Sequence, residues 1–380
     1  MKFIVPSQLL CKNLQVISGV ITTNTAVPIA ENILFEVNSK KLQLTATDIE
    51  TTITTELELS DSDGDGAIVV PAKIVLETLK SMPDVPVIFD ISESYGIEIT
   101  ADESNFKLVG FDPEGFPEKP TLKDASSFEI SPQILGNGIS KTIFAVGIGD
   151  IRPVLAGVLC EIQPEDITFV ATDAHRLSRY KNTQVKTGME ASFIIPKKPL
   201  LLLKNILQSY PKPVRIDYNN EKVGFQLDNL YIVSKLIEGN YPKYKAVIPA
   251  NNNNVLTIER QPFLQRMRSI SPYANQSTHQ VRLTLAPTSM RLTAEDIDTS
   301  SKATATLACN FERENKDEAA EYEIGFSSKF LQEILSTLDS MEVVIKLAQP
   351  NTAGLVFPLE ENKNEEEDLL MLLMPVMLNV

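Results

Sequence analysis

Thr45-Ala46-Thr47-Asp48-Ile49-Glu50-Thr51 returns as Val170-Ala171-Thr172-Asp173-Ala174-His175-Arg176 and again as Thr293-Ala294-Glu295-Asp296-Ile297-Asp298-Thr299. The three aspartates stand 125 and then 123 residues apart. Other landmarks keep the step. Leu9-Leu10 corresponds to Ile134-Leu135 and Phe263-Leu264, and Val70-Pro71-Ala72 to Ile195-Pro196-Lys197 and, more loosely, Phe326-Ser327-Ser328. A period this long is no solenoid unit. At roughly 125 residues each copy is large enough to bury its own core, so the chain reads as three tandem domains.

Within a copy the hydrophobic pattern alternates between periods. In the first, Phe3-Ile4-Val5 leads into an amphipathic stretch from Ser7 to Val20, and Ile33 to Val37 and Leu42 to Thr47 read as strands around an Asn38 to Lys41 turn. Pro71 suits the first residue of a helix reaching Met82 and stopped by Pro83. Val85 to Ile91, Gly96 to Thr100 and Phe106 to Val109 read as further strands. The class is α+β, with strands dominant. The copies end alike in Phe116-Pro117, Tyr241-Pro242 and Met374-Pro375, which places linkers near 112–127 and 238–254 and domains at 1–122, 123–250 and 251–380. Asn251 to Asn254 has little reason to fold alone.

Composition excludes several classes. Of 380 residues, 43% are apolar and 22% charged, ordinary for a globular chain. The longest apolar run, Leu369 to Leu378, is broken by Pro375 and falls short of the roughly 18 residues a membrane helix needs. The start does not read as a signal peptide. Cys11, Cys160 and Cys309 are odd in number and far apart, so neither a disulfide framework nor a zinc site is indicated, and a reduced cytoplasm is the expected home.

Net charge is −15, unpromising for a nucleic-acid partner. Yet the six helical patterns together carry +8, leaving −23 for everything else. If the helices share a face, that face is basic. The plainer alternative is that lysine and arginine are good helix formers.

Chemical motifs mostly fail. Asp61-Ser62-Asp63-Gly64-Asp65-Gly66 imitates a calcium loop, but its twelfth position is Ala72 where the bidentate glutamate belongs, so it reads as a turn. Gly147-Ile148-Gly149-Asp150-Ile151-Arg152 lacks the third glycine of a dinucleotide fingerprint. With only His175 and His279 present, no His-rich metal site exists and no metal or cofactor is expected. A hydrolase using Asp173 and His175 as acid and base is one alternative; a tandem-domain scaffold without a DNA role is another. Against the hydrolase, a catalytic group is usually unique, whereas this aspartate recurs; its expected role is to bond backbone amides in a turn. Only Ala174-His175-Arg176-Leu177 is particular to the middle copy.

Those residues carry a resemblance. Ala171-Thr172-Asp173-Ala174-His175-Arg176-Leu177, Glu238 to Tyr244 with Val247-Ile248-Pro249, and the terminal Met374-Pro375-Val376-Met377-Leu378 resemble, in order and spacing, three signatures of the bacterial DNA polymerase III β subunit, the sliding clamp family. The resemblance covers the whole chain. It implies three copies of a clamp domain, each two helices on β-sheets, and a head-to-tail homodimer closed into a six-domain ring with twelve helices lining the hole. The implied function is a non-enzymatic processivity factor that encircles double-stranded DNA without reading sequence. Implied partners are the polymerase III catalytic subunit, clamp-loader subunits and other proteins with clamp-binding motifs, with no membrane.

The resemblance also implies sites. Lys12, Lys73, Lys80, Lys141, Arg152, Lys197, Lys198, Arg266 and Arg268 would line the channel, with Lys197 and Lys198 the strongest pair. A partner-peptide pocket would comprise Leu155, Thr172, Ala174, His175, Arg176, Leu177, Pro242, Val247, Leu372, Leu373, Met374 and Pro375. Phe106 and Lys107 would meet Ile270 and Tyr273 of a second copy. The chain departs from the family pattern at Asn24-Thr25, Ala246 and Met377, where relatives often carry arginine, at Pro272-Tyr273, and in the extra Asn379-Val380.

Overall fold

A computed structural model describes residues 1–23, 27–149, 152–315, 321–359 and 364–378. Asn24-Thr25 and Asn379-Val380 lie outside the described residues. The first repeat runs β1 (Lys2–Pro6), α1 (Ser7–Ser18), β2 (Ile33–Asn38), β3 (Lys41–Thr47), β4 (Thr51–Glu58), β5 (Asp61–Asp63), β6 (Gly66–Val70), α2 (Ala72–Lys80), β7 (Pro86–Ile91), β8 (Gly96–Ala101) and β9 (Ser104–Val109). The second runs β10 (Ser126–Ile130), α3 (Pro132–Thr142), β11 (Gly157–Gln163), β12 (Asp166–Thr172), β13 (Arg176–Asn182), β14 (Ala191–Pro196), α4 (Lys197–Leu207), β15 (Val214–Tyr218), β16 (Lys222–Leu227) and β17 (Leu230–Lys235). The third runs β18 (Asn254–Glu259), α5 (Arg260–Ile270), β19 (Gln280–Ala286), β20 (Ser289–Asp296), β21 (Ser301–Ala308), β22 (Asn310–Glu312), β23 (Tyr322–Ser327), α6 (Ser328–Thr337), β24 (Glu342–Leu347), β25 (Gly354–Leu359) and β26 (Glu367–Leu373).

Helices form where apolar residues recur every three or four positions. α1 buries Leu10, Leu14 and Ile17, and α5 buries Phe263, Met267 and Ile270, each a single stripe facing a sheet. Pro71 precedes α2 as its cap residue instead of beginning it. β4 and β6 were not expected: the threonine-rich Thr51–Glu58 shows no clear apolar alternation, because Thr51, Thr52 and Thr55 are all buried. The calcium-loop imitation is half strand, since Asp61–Asp63 pairs with β1 and only Gly64, at φ 82°, turns. The asparagine run is also ordered: Asn252 is buried and its Nδ2 donates to the carbonyls of Lys346 and Ala353, at 3.0 and 2.8 Å.

Four sheets result. Each repeat makes two half-sheets, and they join across repeats. The half-sheet β6-β2-β3-β4 of the first continues through β4 into β17-β16-β15-β10 of the second, one eight-stranded sheet. Likewise β14-β11-β12-β13 continues through β13 into β26-β25-β24-β18-β22, nine strands. Two half-sheets stay single: β5-β1-β7-β8-β9 and β21-β20-β19-β23. The chain accordingly packs as two compact units, 1–136 with 195–237 and 137–194 with 238–380, so the division runs through the middle repeat.

Candidate functional site

The turn between β12 and β13 is built by two side chains. Thr172 Oγ1 donates to the Arg176 carbonyl at 2.6 Å and accepts from the Ala174 N–H at 3.2 Å. Asp173 Oδ1 accepts from the N–H groups of His175 and Arg176, each at 2.9 Å. These bonds hold Ala174 at φ 75°, a left-handed conformation that a residue with a Cβ seldom adopts. The first repeat builds the same turn, with Asp48 Oδ1 accepting from Glu50 and Thr51 at 3.1 and 2.7 Å and Ile49 at φ 79°. In the third, Asp296 Oδ1 accepts from the Asp298 N–H at 3.2 Å.

Arg176 locks this turn from below. Its side chain is 7% exposed. Nε donates to Asp173 Oδ2 at 3.0 Å, Nη1 to the Glu333 carboxylate of α6, and Nη2 to the Phe144 carbonyl at 2.6 Å. Its guanidinium carbon lies 4.5 Å from the centroid of the Phe330 ring and 5.2 Å from that of Phe144. Arg176, which the resemblance includes in the partner-peptide pocket, is buried, and its hydrogen bonds and ring contacts are within the chain. The Asp173 carboxylate is likewise occupied. The His175 ring lies over Phe330, centroids 6.2 Å apart, and among the described residues no hydrogen bond joins it to Asp173.

The strand β26 meets this turn edge-on. Leu177 pairs with Leu372 and Arg176 with Leu373, and the Met374 N–H donates to the His175 carbonyl at 2.8 Å. Beyond it the Val376 N–H donates to the Gly325 carbonyl at 2.8 Å, so the chain end is tied along β23. The Gly147 N–H donates to the Leu155 carbonyl at 2.8 Å, and a Cβ there would stand 3.3 Å from Leu155 Cβ and 3.4 Å from Asp173 Cα. Gly239, at φ 120°, abuts Val154. Burial, with the nearby charge of Asp173, raises the pKa of the Tyr241 hydroxyl well above its ordinary value. The Tyr244 hydroxyl donates to Glu161, anchoring the short helical turn Tyr244–Val247. The expected pocket residues thus divide. Leu155, Leu177, Leu372 and Leu373 are buried beneath the surface; Ala174, His175, Pro242, Val247 and Met374 are exposed, with Thr172 and Pro375 between.

The expected DNA-binding residues also divide. Lys12, Lys73, Lys80, Arg152, Lys197, Arg266 and Arg268 are exposed, and among the described residues none forms an ion pair. Lys198 and Lys141 are different. Lys198 Nζ donates to the Val20 carbonyl, to Thr22 Oγ1 at 2.7 Å and to the Asp48 carboxylate, so it closes the end of α1 against the first turn. Lys141 Nζ donates to the Thr337 carbonyl at 2.8 Å and to Asp339. Both cations have internal counter-charges. Arg260, the first residue of α5, donates to the carbonyls of Ser340 and Leu335 at 2.7 and 3.1 Å.

Of the expected interface residues, Phe106 and Lys107 lie on β9, an unpaired sheet edge, and Tyr273 is exposed. Ile270 is not available: at 3% exposure it packs in the core with Phe263 and Met267. Sequence reading missed a second edge strand, β21, although its alternation of Lys302, Thr304 and Thr306 with Ala303, Ala305 and Leu307 is a period-two signal at the place of β4 and β13.

Family models agree with this architecture. Those described as DNA polymerase III beta subunit N-terminal, central and C-terminal domains match residues 1–120, 129–243 and 245–376 in that order. The chain is 28% identical over 379 residues to the beta sliding clamp of Vibrio cholerae, covering all of both chains, and 28% identical over 390 residues to that of Halalkalibacterium halodurans, covering 99% of each. Among solved structures, it superposes with TM-score 0.91 and 26% identity on the Pseudomonas aeruginosa DnaN sliding clamp bound to griselimycin, and with 0.91 and 28% on that of Bartonella birtlesii, each covering all of both chains.

Proposed function

The chain belongs to the DNA polymerase III beta subunit family and serves as a sliding clamp, a processivity factor of DNA replication; from that premise we propose that two copies close head to tail into a ring around duplex DNA. The observation that carries the ring is the count of half-sheets. β4 of the first repeat pairs with β17 of the second, and β13 of the second with β26 of the third. The same rule applied once more calls for a partner for β21 and one for β9, and each of these is an edge strand of a single half-sheet. A second copy supplies both, removing edges that would otherwise invite uncontrolled pairing. Phe106 and Lys107 on β9 and Tyr273 beside α5 would flank that joint. The clamp domains are the repeats 1–122, 123–250 and 251–380, although the sheets group the strands by joint.

DNA would be held through phosphates by Lys12, Lys73, Lys80, Arg152, Lys197, Arg266 and Arg268, since contact with base edges would oppose sliding. The acidic remainder of the chain disfavours DNA on other surfaces. Ala174, His175, Pro242, Val247, Met374 and Pro375, over the buried leucines, form the groove for short partner tails from the polymerase catalytic subunit and clamp loader. The reading is non-enzymatic: the Asp173 carboxylate already accepts three hydrogen bonds within its turn, so it is a poor general base. The workplace is the cytoplasm. Retention on nicked circular DNA against the linear form tests the ring, because topological binding ends only by opening or at an end. Equal loss from both forms, or a monomer by light scattering at micromolar concentration, would overturn it.

A further inference from the structure

Gly325 sits inside β23 with ordinary strand backbone and no positive φ. A glycine weakens a strand interior, and where no unusual φ demands it, the usual reason is that another part of the chain approaches closely. The repeats supply the comparison. Because Phe326-Ser327-Ser328 corresponds to Val70-Pro71-Ala72 and Ile195-Pro196-Lys197, the residues equivalent to Gly325 are Val69 and Ile194, both branched and both buried. Two repeats thus place a large side chain at this station and the third has none. What fills the space is the chain end: a Cβ on Gly325 would stand 2.5 Å from the Val376 carbonyl oxygen and 2.8 Å from Leu378 Cδ2, too close for either to stay where it is. In the first repeat the segment after β9 meets the same station without this crowding. There the Phe111 N–H donates to the Val69 carbonyl at 2.8 Å and the Val69 N–H to the Phe111 carbonyl at 3.1 Å, beside an intact valine side chain.

We propose that Gly325 is a positioning residue for the partner-peptide groove: by leaving room for Val376 and Leu378 it fixes the Met374-Pro375 wall from its C-terminal side. The proposal rests on the groove reading and adds to it a residue on β23, outside the groove residues named above. Pro375 has no N–H, so this stretch of wall is held through its neighbours. The Met374 N–H donates to the His175 carbonyl on one side and the Val376 N–H to the Gly325 carbonyl on the other, each at 2.8 Å. Without the second bond the wall is tied at one end, and a bound peptide must order it at the expense of affinity.

The test compares the full-length protein with Gly325→Ala, Val376→Pro, a chain lacking residues 376–380, and that truncation combined with Gly325→Ala. Val376→Pro removes the N–H that Gly325 accepts without touching the sheet, so the proposal stays testable should Gly325→Ala misfold. A synthetic peptide with the tail sequence of the polymerase catalytic subunit is titrated by calorimetry, and hydrogen exchange of residues 374–378 is followed beside that of β19. Each single variant is expected to weaken the peptide about tenfold, roughly the effect of having to order one more residue on binding, and to speed exchange in 374–378 while β19 keeps its protection. In the truncated chain Gly325→Ala is expected to change nothing further, because the added Cβ then meets no tail. Unchanged affinity in both single variants, or a further loss of similar size when Gly325→Ala is added to the truncation, overturns the positioning role. Removal of residues 374–380 judges the groove separately. If that removal leaves affinity intact, the groove reading falls; if it abolishes binding while both single variants bind normally, the groove stands and the role of Gly325 falls.

Discussion

The joint between β4 and β17 and the joint between β13 and β26 are the same piece of backbone carrying different side chains. Asp48 and Asp173 cap equivalent turns, Ile49 and Ala174 both stand near φ 75–79°, and the N–H groups of Lys235 and Met374 donate to the carbonyls of Glu50 and His175 at 2.9 and 2.8 Å. Even the linkers correspond: Lys119 donates to Glu36 in the first joint, and Tyr244 donates to Glu161 in the second. What differs is charge at the mouth. The first joint has a cavity of about 390 Å3, but Lys235 lies 3.6 Å from Glu50 and Lys119 stands in its wall. The second replaces those with His175, Met374 and Tyr244. Backbone geometry makes a joint; whether an apolar peptide can rest on it depends on whether ion pairs occupy its rim, because desolvating them is unfavourable.

The largest effect expected from this contrast is on partner binding. Deleting residues 374–380 removes the exposed wall of the second joint, so a polymerase tail peptide should lose at least 100-fold in affinity by calorimetry, roughly 3 kcal/mol. Dimerisation through β9 and β21 should persist. Undiminished affinity would place the groove elsewhere, with the first joint the next to test.

Next in size is stability. Arg176→Ala strands Asp173 and Glu333 and strips the guanidinium from two rings, and roughly 2 to 4 kcal/mol should be lost in urea unfolding, discounted because Glu333 is partly solvated. Thr51→Ala, the equivalent change in the first joint, removes one buried hydroxyl hydrogen bond to Ser234 and should cost about 1 kcal/mol. Equal losses would show that the arginine is not what distinguishes the joints.

Smaller changes probe the shared turn. A left-handed L-residue costs about 1 to 2 kcal/mol, partly regained by the entropy a glycine surrenders. Ile49→Gly should therefore stabilise by about 0.5 to 1 kcal/mol and Ala174→Gly by no more than that, both read as thermal midpoints. A destabilised Ile49→Gly would mean its side chain contributes packing that outweighs the strain. Smallest is an alkaline effect confined to the second joint. Burial first, then the hydrogen bond to Glu161, raises the Tyr244 pKa in the folded protein. Its stabilising contribution is present below the unfolded tyrosine pKa of about 10 and is lost as pH rises through the higher folded value. Tyr244→Phe should flatten that part of the decline, and Lys119→Met in the first joint should not.

The sequence by itself determined the triplication, the α+β class and, in the first repeat, the helices and the strands other than β4 to β6, because these follow from periods of about 2.0 and 3.6 and from turn chemistry within a few residues. It also determined that Asp48, Asp173 and Asp296 form turns, since their partners lie two or three positions along the chain. Only the tertiary structure decided which charges are free. Lys198 and Lys197 are neighbours in sequence, yet one is bound to Asp48, 150 residues away, and the other is exposed. Lys141, Arg176 and Arg260 were likewise committed by partners on distant elements, Ile270 was taken into the core, and β21 was left as an edge. A side chain's charge is written at its own position, but its availability depends on desolvation and on counter-charges brought there by the fold.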